Sequence, residues 1–351
     1  MSKAAGVLAM ALGLFAGAAL AAPVPEAPRS EIAVREVVLS DGTRRYGLPI
    51  KVGATAIEAG LDSGSSGLRV LPGVLAAGDA DRAGGGDSYD YGSGTAFRGV
   101  VGKGQLTIGA ASGASTLQLI DKVGCTAKIP KCPASRIAEA QFGVQGDGLP
   151  GEGFKAIIGV NMAEAEVATP LRAIGTRRWI IELPRPGEGT GRLILNPTEE
   201  EVQGYAMLPV MDAFKAQHGG LHDAVGGCLL NDATGKKVCG ALLMDTGAPG
   251  LSVLNGGLGS TPWPQGPATL AFYDGRGRTQ AAENLTLNIK AHASRLTFDS
   301  EPGRPGPVIY SGLTAYFAFS VLYDPERGMV GLKPRAPTPD GPKGGLVAPA
   351  P

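Results

Sequence analysis

Short apolar runs recur along most of the chain, separated by glycine, proline, aspartate and asparagine. Ile32, Val34 and Val37-Val38-Leu39 lead to an Asp41-Gly42 turn, after which Tyr46, Leu48, Ile50 and Val52 alternate with other residues. This two-residue period marks strands packed on one face. Residues 95–101 and 104–109 read as two strands about a Gly102-Lys103 turn, and 74–90 as a loop. Residues 178–183 and 191–195 read as a hairpin, and strands resume from Ala206 to Leu332. Only 162–174 looks helical, and Pro170 is expected to interrupt it. The pattern predicts a mostly β protein. The order strand, acid turn, strand, meander, apolar run and glycine occurs in 32–175 and again in 205–335, as an internal duplication would give.

The 351 residues suffice for two domains or one large one. The 55 glycines and 27 prolines fit many tight turns, and 43% hydrophobic residues can fill a core. Lys and Arg number 32, matching 32 Asp and Glu, without a basic block, so nucleic-acid binding is not suggested. Residues 1–22 read as a signal peptide: Lys3, an apolar stretch from 7 to 20, then Ala19-Leu20-Ala21 before Ala22-Pro23. A membrane anchor is the alternative, but the segment is short and rich in Ala and Gly. No other stretch could span a bilayer. The expectation is export to the periplasm or the medium, with no membrane attachment in the mature form.

Cysteine usage agrees with export. The four cysteines fall in two close pairs, Cys125/Cys132 and Cys228/Cys239, which predicts two disulfides. Zinc is the rival ligand, but the spacing lacks a CxxC pair and the three histidines do not cluster with the cysteines. His218 and His222 flank Gly219-Gly220 and read as loop residues.

Two segments carry candidate chemistry: Leu61-Asp62-Ser63-Gly64-Ser65-Ser66-Gly67 and Met244-Asp245-Thr246-Gly247-Ala248. Each is an Asp-Ser/Thr-Gly turn between apolar runs. Such tripeptides are also ordinary turns. Two facing carboxylates can share one proton, because like charges a few ångströms apart cannot both ionise. One acid then polarises a carbonyl while the other activates water.

With these turns, several motifs in order resemble the pepsin-like aspartic proteases. Tyr46-Gly47-x-x-Ile50-x-Val52-Gly53 is similar to the strand before the first turn, and Asp62-Ser63-Gly64-Ser65-Ser66 to D-T-G-S-S. Tyr91-Gly92-Ser93-Gly94 with Phe97-Arg98-Gly99 resembles the flap, and Gly153-Phe154-Lys155-Ala156-Ile157-Ile158-Gly159-Val160 the segment supporting the first acid turn. Asp245-Thr246-Gly247 matches the second motif, 183 positions after Asp62. Val308-Ile309-Tyr310-Ser311-Gly312 and the run from Tyr323 to Leu332 resemble the closing strands.

The resemblance implies two β lobes, at 23–176 and 205–335, with interlobe strands at 177–204; by its composition the Pro-rich tail at 336–351 reads as disordered. It implies a monomeric endopeptidase acting on polypeptides, without cofactor or metal. Asp62 and Asp245 would be catalytic. Tyr91, Gly92, Ser93, Gly64 and Gly247 would contact substrate, and Ser65 and Thr246 would support the acids.

Four positions depart from the pattern. Ala248 replaces the hydroxyl usual after the second motif, which should raise the dyad's apparent pKa values. Arg69 stands where a Trp often buttresses the flap, Gly60 where a larger apolar residue often lines a pocket, and Leu313 where an Asp is common. A non-catalytic relative binding peptides or glycans is the alternative function. A serine hydrolase using Ser63 or Ser66 lacks a G-x-S-x-G elbow. The N-terminal strands need most of residues 23–61, so a long prosegment is not evident, and Asn284-Leu285-Thr286 reads as a chance sequon.

Overall fold

The computed structural model describes residues 25–82, 84–162, 167–211, 223–255, 263–300 and 306–347. The leader expected at 1–22 lies outside these residues, as do His218 and His222. The first half supplies β1 (Ser30–Val38), β2 (Arg44–Val52), β3 (Thr55–Asp62), β4 (Ser66–Val70), β5 (Ala80–Asp81), β6 (Gly86–Asp90), β7 (Thr95–Ile108), β8 (Ala111–Cys125) and β9 (Ala156–Val160). After the short helix α1 (Pro170–Ala173) come β10 (Trp179–Glu182), β11 (Thr190–Leu195) and β12 (Ala206–Pro209). The second half supplies β13 (Val225–Asn231), β14 (Lys237–Leu243), β15 (Leu251–Leu254), β16 (Gly266–Tyr273), β17 (Thr279–Leu287), β18 (Leu296–Asp299) and β19 (Val308–Tyr310). Helix α2 (Thr314–Ala318), β20 (Phe319–Asp324), β21 (Met329–Pro334) and β22 (Lys343–Leu346) complete it. The alternation read in β2 is real: Tyr46, Leu48, Ile50 and Val52 are all buried, while Lys51 is exposed.

The protein is mostly β and built on two sheets. Each sheet contains the same five-strand unit. In the first, β2–β3 is antiparallel, β3–β9 parallel, β9–β4 antiparallel and β4–β8 parallel. In the second, β13–β14, β14–β19, β19–β15 and β15–β18 repeat those four orientations in the same order. In both, a later strand inserts between the strands entering and leaving an acid turn. Backbone amides of the entering and leaving strands are satisfied by that insert, so the turn is fixed from below.

Strands from both halves meet in the order β12-β21-β20-β10-β11-β1, all antiparallel. The hairpin expected at 178–195 lies here as β10 and β11. Trp179 stacks on Tyr323 with ring centroids 5.7 Å apart. One buried cluster runs from Val34 and Leu61 through Trp179 and Tyr323 to Leu242 and Leu270, so a single core lies beneath both turns.

Four local expectations are revised. Gly102-Lys103 does not turn: β7 runs unbroken and pairs with β8 along its length, because Gly102 packs its bare Cα against Leu119. The expected loop at 74–90 contains β5 and β6, and β6 pairs with β7 as a hairpin. Pro170 opens α1 rather than interrupting a helix, since a first-turn proline lacks only an amide that would go unbonded. The tail is not disordered at its centre: β22 pairs with β17. A Cβ on Gly344 would fall 2.6 Å from the Phe319 ring, so only glycine lets this strand lie so close.

Both disulfides form as expected. Cys125–Cys132 closes a loop of sequence separation 7, and Cys228–Cys239 bridges directly opposed residues of the β13–β14 hairpin. Among the described residues, no helix is long and apolar enough to cross a membrane.

Candidate active site

The two acid turns face each other. The Gly64 amide donates to Asp62 Oδ1 at 2.9 Å, and the Gly247 amide to Asp245 Oδ1 at 2.8 Å. Both turns need glycine for a reason visible across the gap. A Cβ on Gly64 would lie 2.4 Å from the Asp245 carboxyl carbon, and one on Gly247 would lie 2.6 Å from Asp62 Oδ1. Each turn therefore packs its backbone against the opposite acid.

The middle residues of the turns grip one another. The Ser63 amide donates to Thr246 Oγ1 at 2.9 Å, and the Thr246 amide donates to Ser63 Oγ at 2.9 Å. Thr246 Oγ1 donates to the Leu61 carbonyl at 2.9 Å, and Ser63 Oγ to the Met244 carbonyl at 3.0 Å. These four buried bonds span 181 to 185 residues of sequence. Each buried donor left unpaired would cost about 1–3 kcal/mol, so the two turns are held in one register.

The support is not symmetric. Ser65 Oγ donates to Asp62 Oδ2 at 2.5 Å. Ala248 has no hydroxyl to offer Asp245, but its backbone amide favours the charged form of that acid, as the Gly247 amide does. Ser63 Oγ also accepts from the Tyr316 hydroxyl at 2.7 Å, and Tyr316 shares a 2.5 Å hydrogen bond with Tyr323. Both phenols are fully buried. Asp62 is buried, whereas Asp245 is half-buried. The surrounding protein pushes the Asp245 carboxyl upward, and the charge of Asp62 and a hydrogen bond between the two carboxyls push it further. Such a pair retains one proton where isolated carboxylates have lost theirs.

The β6–β7 hairpin supplies the flanking aromatics. Tyr91 meets Phe97 and Tyr89 edge-on, at 5.3 and 4.7 Å between centroids, and its hydroxyl is buried without a partner. Gly92 and Ser93 sit at the exposed tip. The tip is braced by the first disulfide loop: the Thr126 amide donates to the Gly94 carbonyl at 2.8 Å. Arg69 lies under this hairpin with its guanidinium 3.5 Å from the Tyr89 ring centroid. Burial pushes the Tyr89 phenol up to about 12; Arg69 opposes that rise, and the charges of Asp62 and Asp245 add to it. Tyr89 is therefore within the field of both acids.

Other site residues are not evident from sequence. Arg45 on β2 reaches the second turn, donating to the Gly247 carbonyl at 2.6 Å, and pairs with Asp147. Gln145 Nε2 donates to the Leu61 carbonyl at 3.2 Å. Gln145 and Phe154 fill the space beside Gly60, where a Cβ would lie 2.6 and 2.7 Å from them. His292 contacts the turn at 41–43, with Nδ1 3.0 Å from Thr43 Oγ1 and Nε2 3.1 Å from the Asp41 carbonyl. Leu313 is buried at the start of α2. Tyr89 alone carried a usable signal, because residues two apart on a strand share a face and Tyr91 was already a candidate.

Among the described residues, no three His, Cys, Asp or Glu side chains cluster as metal ligands. No protein-family model matches this chain, and no curated protein matches its sequence.

Proposed function

We propose that this chain is an exported, two-lobed aspartic endopeptidase of the pepsin-like kind. The observation that carries the reading is the reciprocal grip of Ser63 and Thr246, which sets two acids from distant turns against each other. The repeated five-strand unit beneath each acid supports the two-lobed description. The two disulfides support export.

In this reading the dyad holds one proton between its members. Asp245, pushed upward by burial and by Asp62, carries it. Asp62, which accepts from Ser65 and Gly64, carries the charge. Water bound between them gives a proton to Asp62 as its oxygen attacks the peptide carbonyl, while Asp245 protonates the carbonyl oxygen. The tetrahedral diol collapses as Asp62 passes its proton to the amide nitrogen, the C–N bond breaks, and a diol hydroxyl returns its proton to Asp245, which restores the dyad. Tyr91, Gly92 and Ser93 close over the polypeptide, which lies along Gly64 and Gly247. The protein acts as a monomer, and the chemistry draws on no cofactor.

Digestion of an unfolded protein from acidic to neutral pH, with and without a statine-type transition-state analogue, tests this. The expected result is inhibitor-sensitive endoproteolysis with an acidic optimum. Purified, folded protein that releases no peptides at any pH would remove the peptidase reading.

A further inference from the structure

Three arginines are buried among the described residues: Arg45, Arg69 and Arg185, at 4%, 3% and 8% exposure. A guanidinium stays charged at any working pH, and burying it unpaired is costly. Arg45 has Asp147 as its partner, and Arg185 has Glu188. Arg69 has no carboxylate partner among the described residues. Its Nη1 donates to the Ser66 carbonyl at 2.6 Å and approaches the Gly67 carbonyl at 3.4 Å. Its Nε is buried without a partner. Its guanidinium also lies on the Tyr89 ring face at 3.5 Å, with the Tyr91 ring at 6.0 Å. Two carbonyl dipoles and a phenol face soften this charge but do not neutralise it.

The location bears on substrate. Arg69 lies on β4, the strand leaving the Asp62 turn. The phenols that cover it come from a hairpin whose outer strand, β6, pairs among the described strands with β7 alone. Lifting that hairpin would strip the ring from Arg69 and leave a fork of donors facing the cleft. The group that matches such a fork in charge and geometry is a carboxylate. The net negative charge of the Asp62/Asp245 pair, which also acts on Tyr89, would repel a nearby carboxylate, and Arg69 is the positive charge placed to offset that repulsion.

We propose that Arg69 is a specificity-determining residue that recognises the carboxylate of an aspartate or glutamate beside the scissile bond, with Tyr89 occupying that place in the empty cleft. This rests on the peptidase reading for its substrate, and binding tests it separately from hydrolysis. The probes are fluorescent peptides that differ only by Glu or Gln, scanned position by position, with anisotropy read on Asp245→Asn protein. One position should bind Glu about tenfold tighter than Gln, the scale of one charge-assisted hydrogen bond. Adding Arg69→Met should bring that ratio to one, and Arg69→Lys should keep part of it. Tyr89→Leu, which uncovers Arg69 without altering it, should raise the ratio, and so decides the matter if Arg69→Met does not fold. A Glu/Gln ratio of one at every position, or a ratio that survives Arg69→Met, overturns the proposal. So does an Arg69→Met enzyme whose pH–rate profile moves while its Glu/Gln ratio was never above one, since Arg69 would then be a counter-charge for the dyad. Selective binding without any hydrolysis would count against the peptidase reading and leave this inference standing.

Discussion

The turns at Asp62 and Asp245 share one backbone plan and differ in what surrounds it. In both, the third residue is a glycine whose amide serves its own acid and whose bare Cα faces the other. In the first turn, Ser65 donates to the acid and Tyr316 buttresses the grip. In the second, a backbone amide stands in for the missing hydroxyl. The shared part fixes distance between the acids, and the unshared part sets which of them holds the proton.

The harshest way to break the shared part is to add one methyl group. Gly64→Ala and Gly247→Ala each drive a Cβ into the opposite carboxyl, and a misplacement near 1 Å costs about a hundredfold in rate. Both variants should fold by circular dichroism and lose at least that much kcat. Equal loss in the two is expected, because the clash is reciprocal.

Next comes the grip. Ser63→Ala orphans the Thr246 amide and removes the 2.7 Å acceptor of Tyr316, leaving that hydroxyl Tyr323 and the Met244 carbonyl at 3.4 Å. Thr246→Val orphans the Ser63 amide, but the Leu61 carbonyl keeps its bond from Gln145. Ser63→Ala should therefore destabilise the protein more, by about 1 kcal/mol in urea unfolding. Equal losses would mean that Tyr316 adds nothing to the first turn.

These contacts mark where sequence reading stops. The acid turns and both disulfides are legible because their chemistry sits within a dozen residues, whereas only the returning strand of the hairpin at Tyr91 is, since 74–90 reads as a loop and holds β6. Tyr316, Tyr323 and Arg45 look like ordinary core or surface positions, because their partners lie elsewhere in the chain or on another strand: Tyr316 meets Ser63 at a separation of 253. Strand β22 was hidden by its Gly-Gly and flanking prolines, which read as low complexity until Phe319 lies against Gly344. The turn expected at Gly102-Lys103 failed because those residues serve close strand packing instead.

The proton distribution can be moved from either side. A hydrogen bond to a carboxylate favours the charged form and lowers the pH at which the pair gives up its proton. Ala248→Thr adds a donor near Asp245, so the basic limb of kcat/KM should move down, by up to about one pH unit. Ser65→Ala removes one from Asp62, so the limb should move up. Shifts of the same sign in both would refute this account of the asymmetry.

A smaller difference between the halves concerns stability. Burial pushes Asp223, whose Oδ1 accepts from the Met162 amide at 2.7 Å, up to about 8. Burial likewise pushes Glu283 on β17 up to about 8. It lies near Thr314, whose hydroxyl donates to the Ser311 carbonyl instead, at 3.0 Å. Both acids keep their protons in the fold at pH values where the unfolded chain has lost them. The folded state then binds more protons, so stability falls as pH rises from about 4 to about 8, by up to about 1 kcal/mol per pH unit for each group. Asp223→Asn and Glu283→Gln should flatten that slope in denaturant titrations at several pH values, and an unchanged slope would show that neither acid is protonated in the fold.

The most direct test of the central claim is hydrolysis by Asp62→Asn, Asp245→Asn and the double variant, each purified and shown to be folded. Groups that act as one unit lose activity together rather than multiplicatively. Each single variant should fall about a thousandfold or more in kcat, with the double variant no lower. Near-full activity in either single variant, or a double variant lower by the product of the two losses, would contradict a shared dyad.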